Sequence, residues 1–192
     1  YLVCSRDFAE EFAGIKINYH DIKTIIACYE KLKKYFDTNV IITLESHGSF
    51  TEINGKYKQI PSIKVKALDS TGAGDIFHGA FTYFIGNEYP LEEAIRLASI
   101  TAAISVTRIG SRFSIPELQE VLEYKEKEDK FIATVACKAA VKGHDVLSVR
   151  EAEALIHQLL KLEHPFTCPH GRPTIIELTR YEMEKIFKRI QN

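Results

Sequence analysis

Apolar residues at Ile22, Ile25, Ile26, Tyr29, Leu32 and Phe36 recur every three or four positions, which predicts an amphipathic helix between Asp21 and Phe36. Tyr1 to Cys4 reads as an apolar strand. The β-branched run from Asn39 to Leu44 is too short for a helix and empties into Glu45-Ser-His-Gly48, so it predicts a strand and a turn. Ser49 to Ile53 and Lys56 to Ile60 alternate around Asn54-Gly55, a dipeptide suited to the two positive-φ positions of a type I′ turn. A hairpin is expected there, closed by Pro61. Ser62 to Leu68 alternates again and predicts another strand, followed by a glycine-rich loop and an apolar helix from about Ala73 to Ile85. Leu91 to Thr107 is apolar on nearly every face, which predicts a buried helix ended by Gly110. These elements together predict an α/β layer with a mostly parallel sheet over the first two thirds of the chain.

The pattern changes after Pro116, where a short helix is expected to dissolve into the charged stretch from Glu123 to Lys130. That solvated stretch is expected to be the seam between two units, 1–127 and 128–192. Beyond it, Phe131 to Lys142 predicts a helix stopped at Gly143, a residue type suited to the position after a helix. Ser148 with Glu151, and Thr179 with Glu182, each place a hydroxyl three residues before a carboxylate, so both predict capping boxes. They frame expected helices Val149 to Leu162 and Arg180 to Ile190, separated by a loop from Glu163 to Pro173 and a strand from Thr174 to Leu178. A small α+β appendage results.

With 192 residues, 45% of them hydrophobic, the chain can bury the core of one domain plus such an appendage. Lys and Arg total 25 against 26 Asp and Glu, so no net field gathers nucleic acid or an anionic membrane surface, and direct nucleic-acid binding is not expected. Cys4, Cys28, Cys137 and Cys168 are scattered behind no charged-then-apolar leader, which points to a reducing, cytoplasmic setting rather than a disulfide framework. No uncharged apolar run approaches the ~20 residues of a membrane span. Tyr1 falls inside an apolar strand without an initiating Met, so the left edge is expected to be a cut.

The loop Asp69-Ser-Thr-Gly-Ala-Gly-Asp75 carries the chemistry. Small residues at Gly72, Ala73 and Gly74 let backbone amides approach an anion, and the following helix aims its positive end at them. A Walker A loop needs Gly-Lys-Ser/Thr, and a Rossmann fingerprint needs a third Gly where Phe77 stands, so neither applies. A carboxylate at such a helix start repels phosphate unless it accepts a proton there. Asp75 therefore reads either as a general base for a hydroxyl attacking a γ-phosphoryl group, or as a plain helix cap.

Asp69 to Phe81 resembles the second signature of the pfkB-type, ribokinase-like carbohydrate kinases, in a strand–loop–helix context and over roughly Tyr1 to Lys127. The resemblance implies a ribokinase-like partial three-layer α/β fold, ATP and a sugar-like substrate, Asp75 as base, and Gly72, Ala73 and Gly74 as anion hole. It implies Thr43 and Gly48, in Ile-Thr-Leu-Glu-Ser-His-Gly, as nucleotide contacts. It further implies a K⁺ ion held by oxygens of two loops, with Asp69 and Thr71 in the first and Ser105, Arg108, Gly110 and Ser114 in the second. The family's Asn-x-x-Glu motif, whose Glu helps organise Mg²⁺, is replaced here by Ser5-Arg-Asp-Phe8. The family's N-terminal half, with its lid and sugar-binding residues, has no counterpart, so the acceptor site is expected to be partial.

Cys168-Pro-His-Gly-Arg-Pro173 sets a thiol and an imidazole two residues apart on a constrained loop, and Cys137 could approach as a third soft ligand; a proline-rich connecting loop with one buried Cys is the alternative. Phe131 to Asn192 resembles the C-terminal region of the mismatch-repair protein family MutL through Ala136-Cys-Lys138, Cys168-Pro-His-Gly-Arg-Pro173 and Phe187-Lys-Arg189. The resemblance implies Zn²⁺ at Cys137, Cys168 and His170, and a homodimer or mismatch-repair partner engaged through the tail. The Asp-Gln-His-Ala-x-x-Glu segment that the nuclease of that family needs is absent, so DNA cleavage is not expected. Three functions stay open: a sugar kinase, a regulatory module, and a fusion in which neither activity survives.

Overall fold

The computed structural model describes residues 1–141, 145–162 and 164–187. The chain divides into two compact units, Tyr1–Lys127 and Glu128–Asn192. Among the described residues no helix is long and apolar enough to cross a membrane.

The first unit is built on four strands, β1 (Leu2–Ser5), β2 (Val40–Thr43), β3 (Ser49–Ile53) and β4 (Lys56–Ile60), in the order β1-β2-β3-β4. Only β1 and β2 run parallel; β2–β3 and β3–β4 are antiparallel. The sheet is therefore mixed, not mostly parallel, because the Asn54-Gly55 hairpin supplies half of it. Asn54 and Gly55 adopt the positive φ values of 52° and 72° that the tight turn requires.

Side chains of β2 alternate between two cores. Ile41 joins Ile60 against α3 (Ala73–Gly86) and α4 (Leu91–Ser105), where Phe77, Phe81, Phe84, Ile95 and Leu97 are buried. Val40 and Ile42 point the other way, with Phe50, onto α1 (Arg6–Ala13) and α2 (Ile22–Tyr35), packing against Ala9, Ile25, Tyr29 and Leu32. Helices thus cover both faces of the sheet, giving the three layers.

Helix α1 has no counterpart in the periodicity reading, since two turns offer too few repeats. Its start is fixed by Ser5, whose Oγ accepts from Phe8 N at 3.2 Å, and its end by Gly14 at φ 63°. Ser62 to Leu68, expected as a strand, forms no ladder among the described residues; Leu68 N and Asp69 N both donate to the Val106 carbonyl at the end of α4 instead. The charged stretch 123–130 does not dissolve. It lies within a single helix α5 (Leu118–Ala139), consistent with Glu and Lys being good helix formers and with the Lys125–Glu93 ion pair at 2.6 Å.

In the second unit both capping boxes form ahead of α6 (Val149–Leu159) and α7 (Arg180–Ile186). Ser148 Oγ accepts from Glu151 N at 3.3 Å while Glu151 Oε2 accepts from Ser148 N at 2.9 Å, and Thr179 with Glu182 repeats the exchange. Thr174 to Leu178, expected as a strand, is irregular; among the described residues the extended pairing here is an isolated bridge, Thr167 with Pro173. No described residue of this unit is buried. The expected stop at Gly143, the loop start at Glu163, the helix end at Ile190, and Lys188 and Arg189 of the third tail motif lie outside the described residues.

Candidate functional site

The loop from Asp69 to Asp75 is shaped by one carboxylate and one glycine. Asp69 Oδ1 accepts from Thr71 N at 2.9 Å and its Oδ2 accepts from Gly110 N at 3.0 Å, so a single side chain ties this loop to the one that follows α4. Those amides, Gly110 first and then Thr71, hold the Asp69 carboxyl below the usual carboxylate range. Gly72 caps α3 at φ 75°, and a Cβ there would lie 2.8 Å from Ser111 Cβ. Ala73 and Gly74 then open the helix; Ala73 N donates to the Ser70 carbonyl at 3.2 Å, and a Cβ at Gly74 would meet nothing within 4 Å.

The helix-cap alternative for Asp75 is not realised. Gly72 occupies the cap position without a side-chain cap bond, and Asp75 stands exposed in the first turn. Asp75 faces a cavity of about 600 Å³ together with Thr71, Gly72, Ser111 and Arg112. Ser70, Ala73 and Gly74 face a second cavity, of about 680 Å³, which also takes in Thr43 and Gly48. The loop is a partition, with the Asp75 carboxylate and Gly72 on one side and Ala73 and Gly74 on the other.

Thr43 Oγ1 donates to the Cys4 carbonyl at 3.3 Å, fixing the end of β2 against β1. Gly48 adopts φ 91° where the chain passes so close to β4 that a Cβ would lie 2.0 Å from Ile60 O. Both residues implied for nucleotide contact therefore sit at one rim, held by backbone packing.

Of the six residues implied for the cation, Asp69, Thr71 and Gly110 are joined directly, as described. Ser105 and Ser114 are buried, and Arg108 pairs through its guanidinium with Glu120. The Ser105 carbonyl accepts from Arg108 N at 3.0 Å, and the Gly110 carbonyl accepts from Ser114 N at 3.0 Å. Each of those carbonyls keeps a second lone pair.

The residue reading of the sequence passed over Arg6, Asp7 and Glu45, which line the cavity shared by Thr43 and Gly74. The only sequence signal for Arg6 and Asp7 is their place in Ser5-Arg-Asp-Phe8. Glu45 is signalled only by its place in Ile-Thr-Leu-Glu-Ser-His-Gly, and its φ of 54° is unusual for a residue with a side chain.

In the second unit, ligand atoms of Cys137, Cys168 and His170 lie within 4.8 Å of one another, with Cys137 Sγ 3.0 Å from His170 Nδ1. The Cys168 loop is a tight turn: Gly171, at φ 76°, donates its N–H to the Cys168 carbonyl at 2.8 Å, and Cys168 N donates to the Arg172 carbonyl at 2.8 Å. Backbone contacts with His170 and Arg172, then the Cys137 side chain, pull the Cys168 thiol below its ordinary range. Two sulfurs and an imidazole at this spacing form a donor set that fits Zn²⁺.

Comparison with known proteins finds relatives of two kinds. A 60-residue stretch is 63% identical to the DNA mismatch repair protein MutL of Clostridium tetani, covering 31% of this chain and 10% of that protein. Over 107 residues the chain is 36% identical to a ribokinase of Lactococcus lactis subsp. lactis, covering 54% of this chain and 35% of that protein. Among solved structures, a ribokinase from Thermotoga maritima is 32% identical with a TM-score of 0.55, over 66% of this chain and 42% of that one. A ribokinase from Arabidopsis thaliana, solved with ribose and ATP, is 26% identical with a TM-score of 0.53, over 64% and 39%. The chain thus spans about a tenth of the MutL relative and about two fifths of the ribokinase structures, and it is chimeric. The pfkB family carbohydrate kinases match residues 1–118, more than half of the whole, and on that match the chain belongs to the pfkB family.

Proposed function

We propose that the first unit binds ATP in the cavity rimmed by Thr43, Gly48 and Gly74 and transfers the γ-phosphoryl group to a hydroxyl of a sugar-type acceptor. The observation that carries this reading is the partition: exposed Asp75 faces one cavity while the small residues opening α3 face the other. An acceptor hydroxyl on the Asp75 side gives its proton to the carboxylate as its oxygen attacks phosphorus. At the positive end of α3, the Gly74 amide, and that of Ala73 on exchange from the Ser70 carbonyl, receive the charge that spreads over the phosphoryl oxygens. Both steps need the loop to be stiff, which the Asp69 tie to Gly110 supplies.

Oxygens of Asp69, Thr71, Ser105, Arg108, Gly110 and Ser114 are a donor set that fits K⁺, and that ion would add fixed positive charge beside the anion hole. Mg²⁺ would enter with ATP and neutralise phosphate charge. The purified chain should bind ATP calorimetrically with K⁺ and Mg²⁺ present and release ADP with some member of a broad sugar panel. ATP binding without turnover on any sugar would reject kinase activity for this chain.

A second reading rests on the clustering of Cys137, Cys168 and His170. We infer that the tail holds Zn²⁺ and supports assembly with a second copy or a mismatch-repair partner. Thiolate and neutral imidazole are the forms that ligate, and the lowered Cys168 thiol favours the first. Metal analysis should find zinc in the purified chain and a clear drop in Cys168→Ser; metal-free wild-type protein with unchanged folding would remove this site.

A further inference from the structure

Two basic side chains, Arg6 and Lys64, line the cavity that contains Thr43, Gly48, Ala73 and Gly74. Lys64 is exposed, whereas the Arg6 side chain is 27% exposed and held at several points. Its Nε and one terminal nitrogen donate to Asp7 Oδ1 at 3.0 and 2.8 Å, and the other terminal nitrogen donates to the Tyr19 hydroxyl at 2.9 Å. Glu10 Oε1 lies 4.0 Å from Nε.

The remaining partner is of a different kind. Glu45 Oε1 lies 3.2 Å from the terminal nitrogen that also reaches Asp7, on a side chain 62% exposed. Asp7 is more exposed still, at 77%, but takes two hydrogen bonds from the guanidinium, whereas Glu45 makes a single, longer ion-pair contact and is the weaker hold when water competes. The guanidinium fork matches phosphate oxygens as well as it matches carboxylate, and phosphate carries more charge.

We propose that Arg6 is a phosphate-binding residue of the nucleotide site. It exchanges Glu45 for an oxygen of the terminal phosphates when a nucleoside triphosphate enters, while Asp7 and Tyr19 keep the guanidinium in position. This rests on the nucleotide reading of the same cavity. It adds an anchored side-chain cation to an anion site otherwise offering backbone amides and the exposed Lys64, and it makes Glu45 a competitor that a triphosphate must displace.

Calorimetric titration of the full chain with ATP and with AMP, at fixed Mg²⁺, separates these roles. Arg6→Ala should weaken ATP by about tenfold or more and leave AMP unchanged, since AMP lacks the terminal phosphates. Arg6→Lys should recover part of the loss, and Glu45→Gln should tighten ATP. Equal losses for ATP and AMP, or an unchanged ATP affinity in Arg6→Ala, would overturn the proposal while leaving nucleotide binding intact. Wild-type protein that binds neither nucleotide would take down the nucleotide reading itself, and this proposal with it.

Discussion

Asp75→Asn should lower phosphoryl transfer by about 10²–10⁴-fold while leaving ATP affinity unchanged or slightly higher. The substitution keeps the shape of the side chain and removes its ability to accept a proton. Asp75 is exposed, and among the described residues its carboxylate accepts no hydrogen bond, so its replacement costs the fold little. Removing a negative charge beside a phosphate site cannot weaken binding electrostatically. The check is ADP release with an accepted sugar, run beside calorimetric ATP binding. A variant that turns over at the wild-type rate would show that another group takes the proton.

The second large effect is on stability. Gly48→Ala should destabilise the first unit by about 3 kcal/mol or more, because two separate penalties fall on one position. The new Cβ would lie 2.0 Å from Ile60 O, 2.7 Å from Ser62 N and 2.8 Å from Pro61 C, all backbone atoms that no rotamer change can move. The φ of 91° adds its own strain for any residue with a Cβ. Gly55→Ala is the control. It shares a positive φ, 72°, but a Cβ there meets nothing within 4 Å, so only the conformational cost of about 1–2 kcal/mol applies. Urea unfolding of both variants measures the difference; equal losses would mean that the close approach to β4 contributes nothing.

What could be read before the structure was whatever local chemistry decides. The Asn54-Gly55 hairpin and the two capping boxes formed where expected, because each depends on residues within one turn of chain. The glycine loop was legible for the same reason. Alternation along Ser62 to Leu68 reads identically whether or not a strand lies alongside, and here the amides of Leu68 and Asp69 turn to Val106. The tie between Asp69 and Gly110 spans 41 residues, so spacing could not disclose that one carboxylate bridges the two loops. Arg6 was overlooked because its partners Tyr19 and Glu45 are distant in sequence and converge only through folding.

Consecutive residues Val40, Ile41 and Ile42, all wholly buried, serve opposite sides of the sheet. Neither helical layer can therefore melt alone, because losing β2 strips an apolar floor from both at once. The rim that carries Thr43 belongs to the same ribbon. Its geometry is coupled to the cohesion of the entire unit, and damage deep in either half of the interior would be felt at the rim proposed for the nucleotide.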